Sequence, residues 1–155
     1  MKLNCQEFQE NYRDCTECAE GKRLVVEENK RKYILQNPSK KKVCKIRIDD
    51  CVISSQTRRK CDYLMIVCEL EYMYFIELKG KDLISAVEQL TETVKYFQSE
   101  CHEIKGRVFA RAVLSKVPMP KSIESDSRVV ALRKLLKKLG GDFAYGSVQF
   151  ENDNI

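Results

Sequence analysis

Two apolar runs set one turn apart constrain this chain more than any other feature. Residues 62–69 read DYLMIVCE, residues 73–79 read MYFIELK, and only Leu70, Glu71 and Tyr72 lie between them. A strand with one face in water alternates polar and apolar residues, whereas a continuous apolar run marks a strand covered on both faces. A connection this short pairs the two runs as an antiparallel hairpin. The chain is therefore expected to form around a hairpin at the centre of a sheet, with layers packed on both sides.

The remaining pattern supplies those layers. Asp82 can cap a helix whose apolar residues Leu83, Val87, Leu90, Val94 and Phe97 recur at helical spacing, ending near Glu100. Residues 107–114 read as a strand and residues 117–122 as a proline-containing loop. Asp126 or Ser127 can cap a basic helix, Arg128–Leu139, stopped by Gly140-Gly141, and Phe143–Phe150 reads as a last strand. Upstream, residues 5–20 carry a weak helical spacing at Phe8, Tyr12 and Cys15. Lys30–Gln36 is expected to be a strand. The chain turns at Asn37-Pro38-Ser39, and Lys42–Ile48 is expected to pair back on it. Asp49-Asp50 suggests a bend, and residues 55–60 a polar loop. The 155 residues fit a single domain, residues 1–155, of the α/β class (α+β, mixed sheet), with a central mixed sheet flanked by helices. Its core spans about residues 5–114, with a basic helix and strand at 126–151.

Composition narrows the functions open to it. No apolar run approaches the roughly 20 residues of a membrane helix, and the start, MKLNCQEFQENYRDC, has no apolar leader segment, so a cytoplasmic protein without membrane association is expected. His102 is the one histidine, which leaves histidine-based catalysis a single candidate. Eight cysteines in such a chain are expected to be thiols, metal ligands or buried small hydrophobes rather than disulfides. Cys15-x-x-Cys18 has the spacing of a zinc half-site, with Cys5, Cys101 and His102 as completions. Cys44, Cys51, Cys61 and Cys68 read as buried hydrophobes.

The net charge of +5 conceals an asymmetry: residues 22–60 carry +9 and residues 61–104 carry −6. Lysine and arginine clusters attract phosphate polyanions, and acidic clusters hold divalent cations. Lys40, Lys41 and Lys42 sit in a turn, and Arg58, Arg59 and Lys60 directly precede the first apolar run. Both clusters are candidate nucleic-acid contacts. Tyr33, Tyr63, Tyr72 and Tyr74 read as half-buried sheet residues that can also stack on bases.

The acidic block has a geometry. Asp62 begins one strand of the hairpin, and Glu77 and Lys79 end the other, so all three converge at one end of the sheet. Two neighbouring carboxylates repel, which raises a pKa or recruits a cation, and a lysine beside them can position water or stabilise phosphate charge. Asp62, fourteen intervening residues and then Glu77-Leu78-Lys79 resembles the signature of the PD-(D/E)xK, or restriction-endonuclease-like, nuclease superfamily, whose core runs helix, three antiparallel strands, helix, strand.

That resemblance implies a Mg²⁺- or Mn²⁺-dependent nuclease, acting on DNA more readily than RNA. Asp62 and Glu77 would be metal ligands, the Leu78 carbonyl a further one, and Lys79 would act on the attacking water. An acidic residue of the first helix would join them, with Glu28, Glu27 and Glu20 as candidates and Glu28 foremost. Gln89 would face the site from the following helix. The sequence departs from the pattern where Cys61 precedes Asp62 and where Thr93, rather than tyrosine, follows Gln89 by four residues, with Tyr96 three residues beyond. Many members dimerise, so a homodimer is implied. The alternative is a protein that keeps the fold without catalysis and serves as a nucleic-acid-binding or assembly module.

Overall fold

The computed structural model describes residues 1–116 and 121–155. Most of the expected proline loop therefore lies outside the described residues. The elements in order are α1 (Cys5–Asn11), β1 (Thr16–Ala19), β2 (Arg23–Glu28), β3 (Arg31–Gln36), β4 (Val43–Arg47), β5 (Tyr63–Val67) and β6 (Tyr72–Glu77). They continue with α2 (Leu83–Glu100), β7 (Val108–Leu114), α3 (Ser127–Lys138), β8 (Phe143–Ser147) and β9 (Gln149–Asn154). The fold is mixed α/β: a six-stranded mixed sheet in the order β1-β4-β5-β6-β7-β8, and a three-stranded sheet in the order β2-β3-β9.

The hairpin of the two apolar runs is β5–β6, in the middle of the large sheet, registered from Tyr63 opposite Ile76 to Val67 opposite Tyr72. Period-two alternation sends its side chains to two separate cores. Leu64, Ile66, Met73 and Phe75 pack under α2 and α3 with Val87, Leu90, Phe97 and Leu132. Met65, Val67, Tyr74 and Ile76 pack against Leu24, Val26, Tyr33 and Phe150 of the small sheet. The continuous apolar pattern arises because one face meets helices and the other meets a second sheet.

β4, β5 and β6 run antiparallel, and β7 returns parallel to β6 after α2. The cap of α2 is as expected, with Asp82 accepting from the Ser85 N–H at 2.7 Å. Asp126 caps α3 through Arg128 N at 2.9 Å. Gly140, at φ 81°, lets the Gly141 N–H reach back to Leu136 O and close that helix.

Several expectations are corrected. Helix α1 stops at Asn11, capped at its start by Asn4. Residues 16–19 then join the large sheet as strand β1, because pairing with β4 satisfies their backbone. Residues 23–28, not foreseen as a strand, form β2 and turn into β3 through Asn29 and Lys30, both in the left-handed region. Lys42–Ile48 does not pair back on β3: β4 lies between β1 and β5, and β3 lies between β2 and β9. The buried Asn37 makes this switch between sheets, its amide donating to Gly21 O and Lys41 O. The last strand is two: Val148, at φ 65°, turns the chain from β8 in the large sheet to β9 in the small one.

The cysteine expectation is also corrected. Cys5–Cys68, Cys15–Cys51 and Cys18–Cys44 are disulfides, and only Cys61 and Cys101 remain as buried thiols. Cys44, Cys51 and Cys68 are thus not free hydrophobes, and Cys15 and Cys18 go to different partners. No helix among the described residues is long and apolar enough to cross a membrane.

Strand β9 is clasped by a buried ion pair. Arg111 on β7 is 4% exposed and donates through Nε to Asp153 Oδ2 at 2.6 Å and through Nη2 to Oδ1 at 3.0 Å, while the Tyr33 hydroxyl donates to the same carboxylate at 2.6 Å. Removing Asp153 would leave the buried Arg111 with the exposed Asp142, at 2.8 Å, as its remaining acidic partner among the described residues. Asp153→Ala is expected to cost about 3 kcal/mol of stability in urea unfolding. Loss of less than about 1 kcal/mol would show that the clasp is dispensable.

Candidate active site

Hairpin register builds the site. With Tyr63 opposite Ile76, the next residues outward are Asp62 and Glu77, and Asp62 N donates to Ile76 O at 3.1 Å. Asp62 Oδ2 then accepts the Leu78 N–H at 2.7 Å and the Lys79 N–H at 2.9 Å. The Lys79 N–H also reaches Glu77 Oε2, at 3.0 Å. Asp62 is 3% exposed and Glu77 1% exposed, and their carboxyl groups lie within hydrogen-bonding reach of each other. Two carboxyl groups this close and this buried cannot both ionise cheaply. Burial and the neighbouring Asp62 raise the Glu77 pKa to about 9. Burial also raises Asp62, against the pull of the Leu78 N–H and Lys79.

The Lys79 side chain lies on the Asp62 side of this pair. Its Nζ is 3.5 Å from Asp62 Oδ1, 3.3 Å from Asp49 Oδ2 and 3.8 Å from Glu28 Oε2. Burial pulls its pKa down, but Asp62, Asp49 and Glu28 outweigh burial and raise it, so the side chain is an ammonium at neutral pH.

The other expected residues divide. Gln89 is brought to the site: with its amide nitrogen turned inward, it donates to Glu77 Oε2 at 3.3 Å and to Ser85 O at 3.2 Å. Glu28 is also brought there, although it ends strand β2 rather than lying on the first helix, and the Tyr63 hydroxyl donates to it at 3.4 Å. Thr93 holds the chain just before Asp62: its hydroxyl accepts from Cys61 N at 2.8 Å and donates to Gln89 O at 2.7 Å.

The Leu78 carbonyl, expected as a further ligand, already accepts a hydrogen bond. Arg31, at the start of β3, donates through Nη1 to Leu78 O and to Gly80 O, both at 2.8 Å, and so clamps the bend that carries Lys79.

The basic clusters behave differently from one another. Lys60 turns inward, 8% exposed, to Asp49 Oδ1 at 3.6 Å and the Ser55 carbonyl, so it belongs to the site's interior rather than to an outer phosphate surface. Arg59 pairs with Glu88 at 2.7 Å, and Arg58 lies 4.9 Å above the Tyr96 ring. Lys40, Lys41 and Lys42 precede β4, whose other end meets Asp62. At about 3.3 Å per residue they stand roughly 20 Å from the carboxyl pair.

Asp49, like Arg31, reaches the candidate site without having been expected there. It read as a turn residue, and it does sit in a bend, cross-bridged to Ile53. Its one legible signal was its place directly after the alternating strand 42–48.

The site opens into a groove of about 350 Å³ lined by Arg59, Lys79, Gly80, Lys81, Ser85 and Gln89. A second groove of about 500 Å³ runs between the sheets, past Tyr63, Arg47, Lys45 and Glu27. Comparison with family models, curated proteins and solved structures finds no match to this chain.

The donor set fits a hard divalent cation. It consists of the Asp62 and Glu77 carboxylate oxygens alone, and Glu77 Oε1 is buried with no hydrogen-bond partner among the described residues; Asp49 and Glu28 reach the Lys79 ammonium, and no group of three carboxylates converges among the described residues.

Proposed function

We propose that the chain is a metal-dependent nuclease that hydrolyses phosphodiester bonds of nucleic acid, with DNA as the favoured substrate. The observation that carries this reading is the buried Asp62–Glu77 carboxyl pair, with the charged Lys79 paired to Asp62 and lining a basic groove. The run β4-β5-β6-α2-β7 supports the same reading, since three antiparallel strands, a helix and a strand also follow one another in the resembled superfamily, although here β1, β2 and β3 separate α1 from that run.

Asp62 and Glu77 would hold Mg²⁺ or Mn²⁺. A cation there would polarise the scissile phosphate and lower the pKa of an attacking water. Lys79, being protonated, orients that water and stabilises the charge that grows on the phosphate oxygens; it does not serve as the base. Gln89 fixes the Glu77 carboxylate, and Arg31 fixes the backbone from which Lys79 projects. Arg59 and Lys81, lining the groove, contact flanking phosphates. A homodimer would present two such sites to two strands.

The test is cleavage of linear duplex, single strand, circular plasmid, RNA and a four-way junction, each with Mg²⁺, Mn²⁺ or EDTA. Metal-dependent cutting of DNA supports the reading. Absence of cutting on every substrate, with salt-sensitive binding intact, assigns the chain instead to the binding-module alternative. Asp49→Asn tests the missed residue. It should lower the cleavage rate roughly 10–100-fold, because Asp49 orients both Lys79 and Lys60. An unchanged rate would remove Asp49 from the site.

A further inference from the structure

The eight cysteines contain a second constellation, on the helix side of the large sheet and apart from the carboxyl pair. Cys5 opens α1, Cys18 lies on β1, Cys44 lies on β4 and Cys68 follows β5. Three separate elements therefore bring three sulfurs together, and β1 adds Cys18 through its bond to Cys44. The Sγ atoms of Cys5, Cys44 and Cys68 all lie within 4.8 Å of one another, and Cys18, directly opposite Cys44 in the strand register, is bonded to it.

Two independent disulfides have no need to touch. Here the Sγ atoms of Cys44 and Cys68, which are not bonded to each other, approach to 3.6 Å. With zinc–sulfur bonds of about 2.3 Å, the edge of a ZnS₄ tetrahedron is about 3.8 Å. Cys5 and Cys44 are buried, and Cys18 and Cys68 half-buried, so the cluster is enclosed, as a closed structural site requires. No carboxylate belongs to the group of converging ligands, which suits a soft, thiolate-preferring ion.

We propose that Cys5, Cys18, Cys44 and Cys68 are a redox-gated zinc site: two disulfides when oxidised, one tetrahedral Zn²⁺ when reduced. The balance is complete. Two equivalents of a dithiol reductant reduce Cys5–Cys68 and Cys18–Cys44 to four thiols, and each dithiol closes to its own disulfide. One Zn²⁺ then replaces four thiol protons, which pass to solvent. Of the Cys15-x-x-Cys18 spacing, only Cys18 takes part; Cys15 points to Cys51 near the Asp49 bend. Either form ties α1 and β1 to the central strands, so the amino-terminal segment stays docked across a change of redox state.

The test uses the full chain, reduced with a dithiol under argon and given Zn²⁺ or Co²⁺. One zinc per chain should survive gel filtration, and Co²⁺ should give the thiolate charge-transfer and intense visible bands of a tetrahedral sulfur site. Zinc should protect Cys5, Cys18, Cys44 and Cys68 from alkylation in peptide mass mapping, with protection lost on chelation. Cys44→Ser and Cys68→Ser should lose the cobalt bands, while Cys15→Ser and Cys101→Ser keep them. The mass mapping is done on the unaltered chain, so it stands even if a serine variant fails to fold. Substoichiometric zinc, equal alkylation with and without zinc, cobalt bands retained in both serine variants, or recovery of iron with acid-labile sulfide in place of zinc would each overturn the proposal.

Discussion

Glu77→Gln should give a folded protein that binds DNA and cuts it roughly 10³-fold more slowly, or not at all. The substitution preserves shape. A glutamine oxygen can still accept the Lys79 N–H that now sits 3.0 Å from Glu77 Oε2, so the bend carrying Lys79 is retained. What disappears is the negative charge that would hold the cation. Lys79→Met should lose a similar factor for a different reason, since the ammonium that faces Asp62, Asp49 and Glu28 is removed while the carboxyl pair remains. The double variant should be no slower than the worse single one, because groups that act as a unit are not additive. Metal-dependent cleavage surviving in Glu77→Gln at more than about a tenth of the native rate would sink the nuclease reading at this site.

The second large effect is on stability. In EDTA, the folded chain holds a proton on the Asp62–Glu77 pair that the unfolded chain has already released, because Glu77 is raised to about 9 from an ordinary value of 4.5. Where the folded state binds more protons, stability falls as pH rises. The loss should therefore begin near pH 5 and continue to about pH 9, above which both states are ionised. Glu77→Gln keeps a neutral group and escapes this loss. It should be more stable than the native chain at pH 8 by on the order of 3 kcal/mol, with the two converging near pH 4. Mg²⁺ reverses the native penalty by competing with that proton, so its stabilisation should be larger at pH 8 than at pH 6 and absent in Glu77→Gln. Urea titrations across this pH range decide it. A native stability that is flat from pH 5 to 9 in EDTA would mean that the pair is not strained by burial.

These two predictions show why a site of this kind was partly visible beforehand. Asp62, Glu77 and Lys79 stand at the ends of two strands whose register is dictated by a four-residue turn, Cys68 to Glu71, so their convergence follows from local geometry. Gln89 was visible only through the resemblance, which implies a glutamine facing the site from the following helix. Asp49, Lys60 and Arg31 were not. Each reaches the site from a different part of the chain, and in sequence each looks like an ordinary turn or surface charge. Lys60 is instructive: it stands in a run of three basic residues, yet the fold turns it alone inward to Asp49.

The division between sequence and tertiary structure follows the range of the forces involved. Sequence alone determined the central β5–β6 hairpin, the capped α2, the glycine stop of α3 and the juxtaposition of Asp62 with Glu77 and Lys79. All of these rest on periodicity, caps and turns within about twenty residues. Only the tertiary structure decided that β3 leaves the large sheet for a second one, that Val148 splits the last strand between the two sheets, and that Cys5, Cys44 and Cys68 meet with Cys18 bonded to Cys44. Strand pairing and sulfur pairing select among distant partners of equal local propensity, and burial of the shared cores makes that choice.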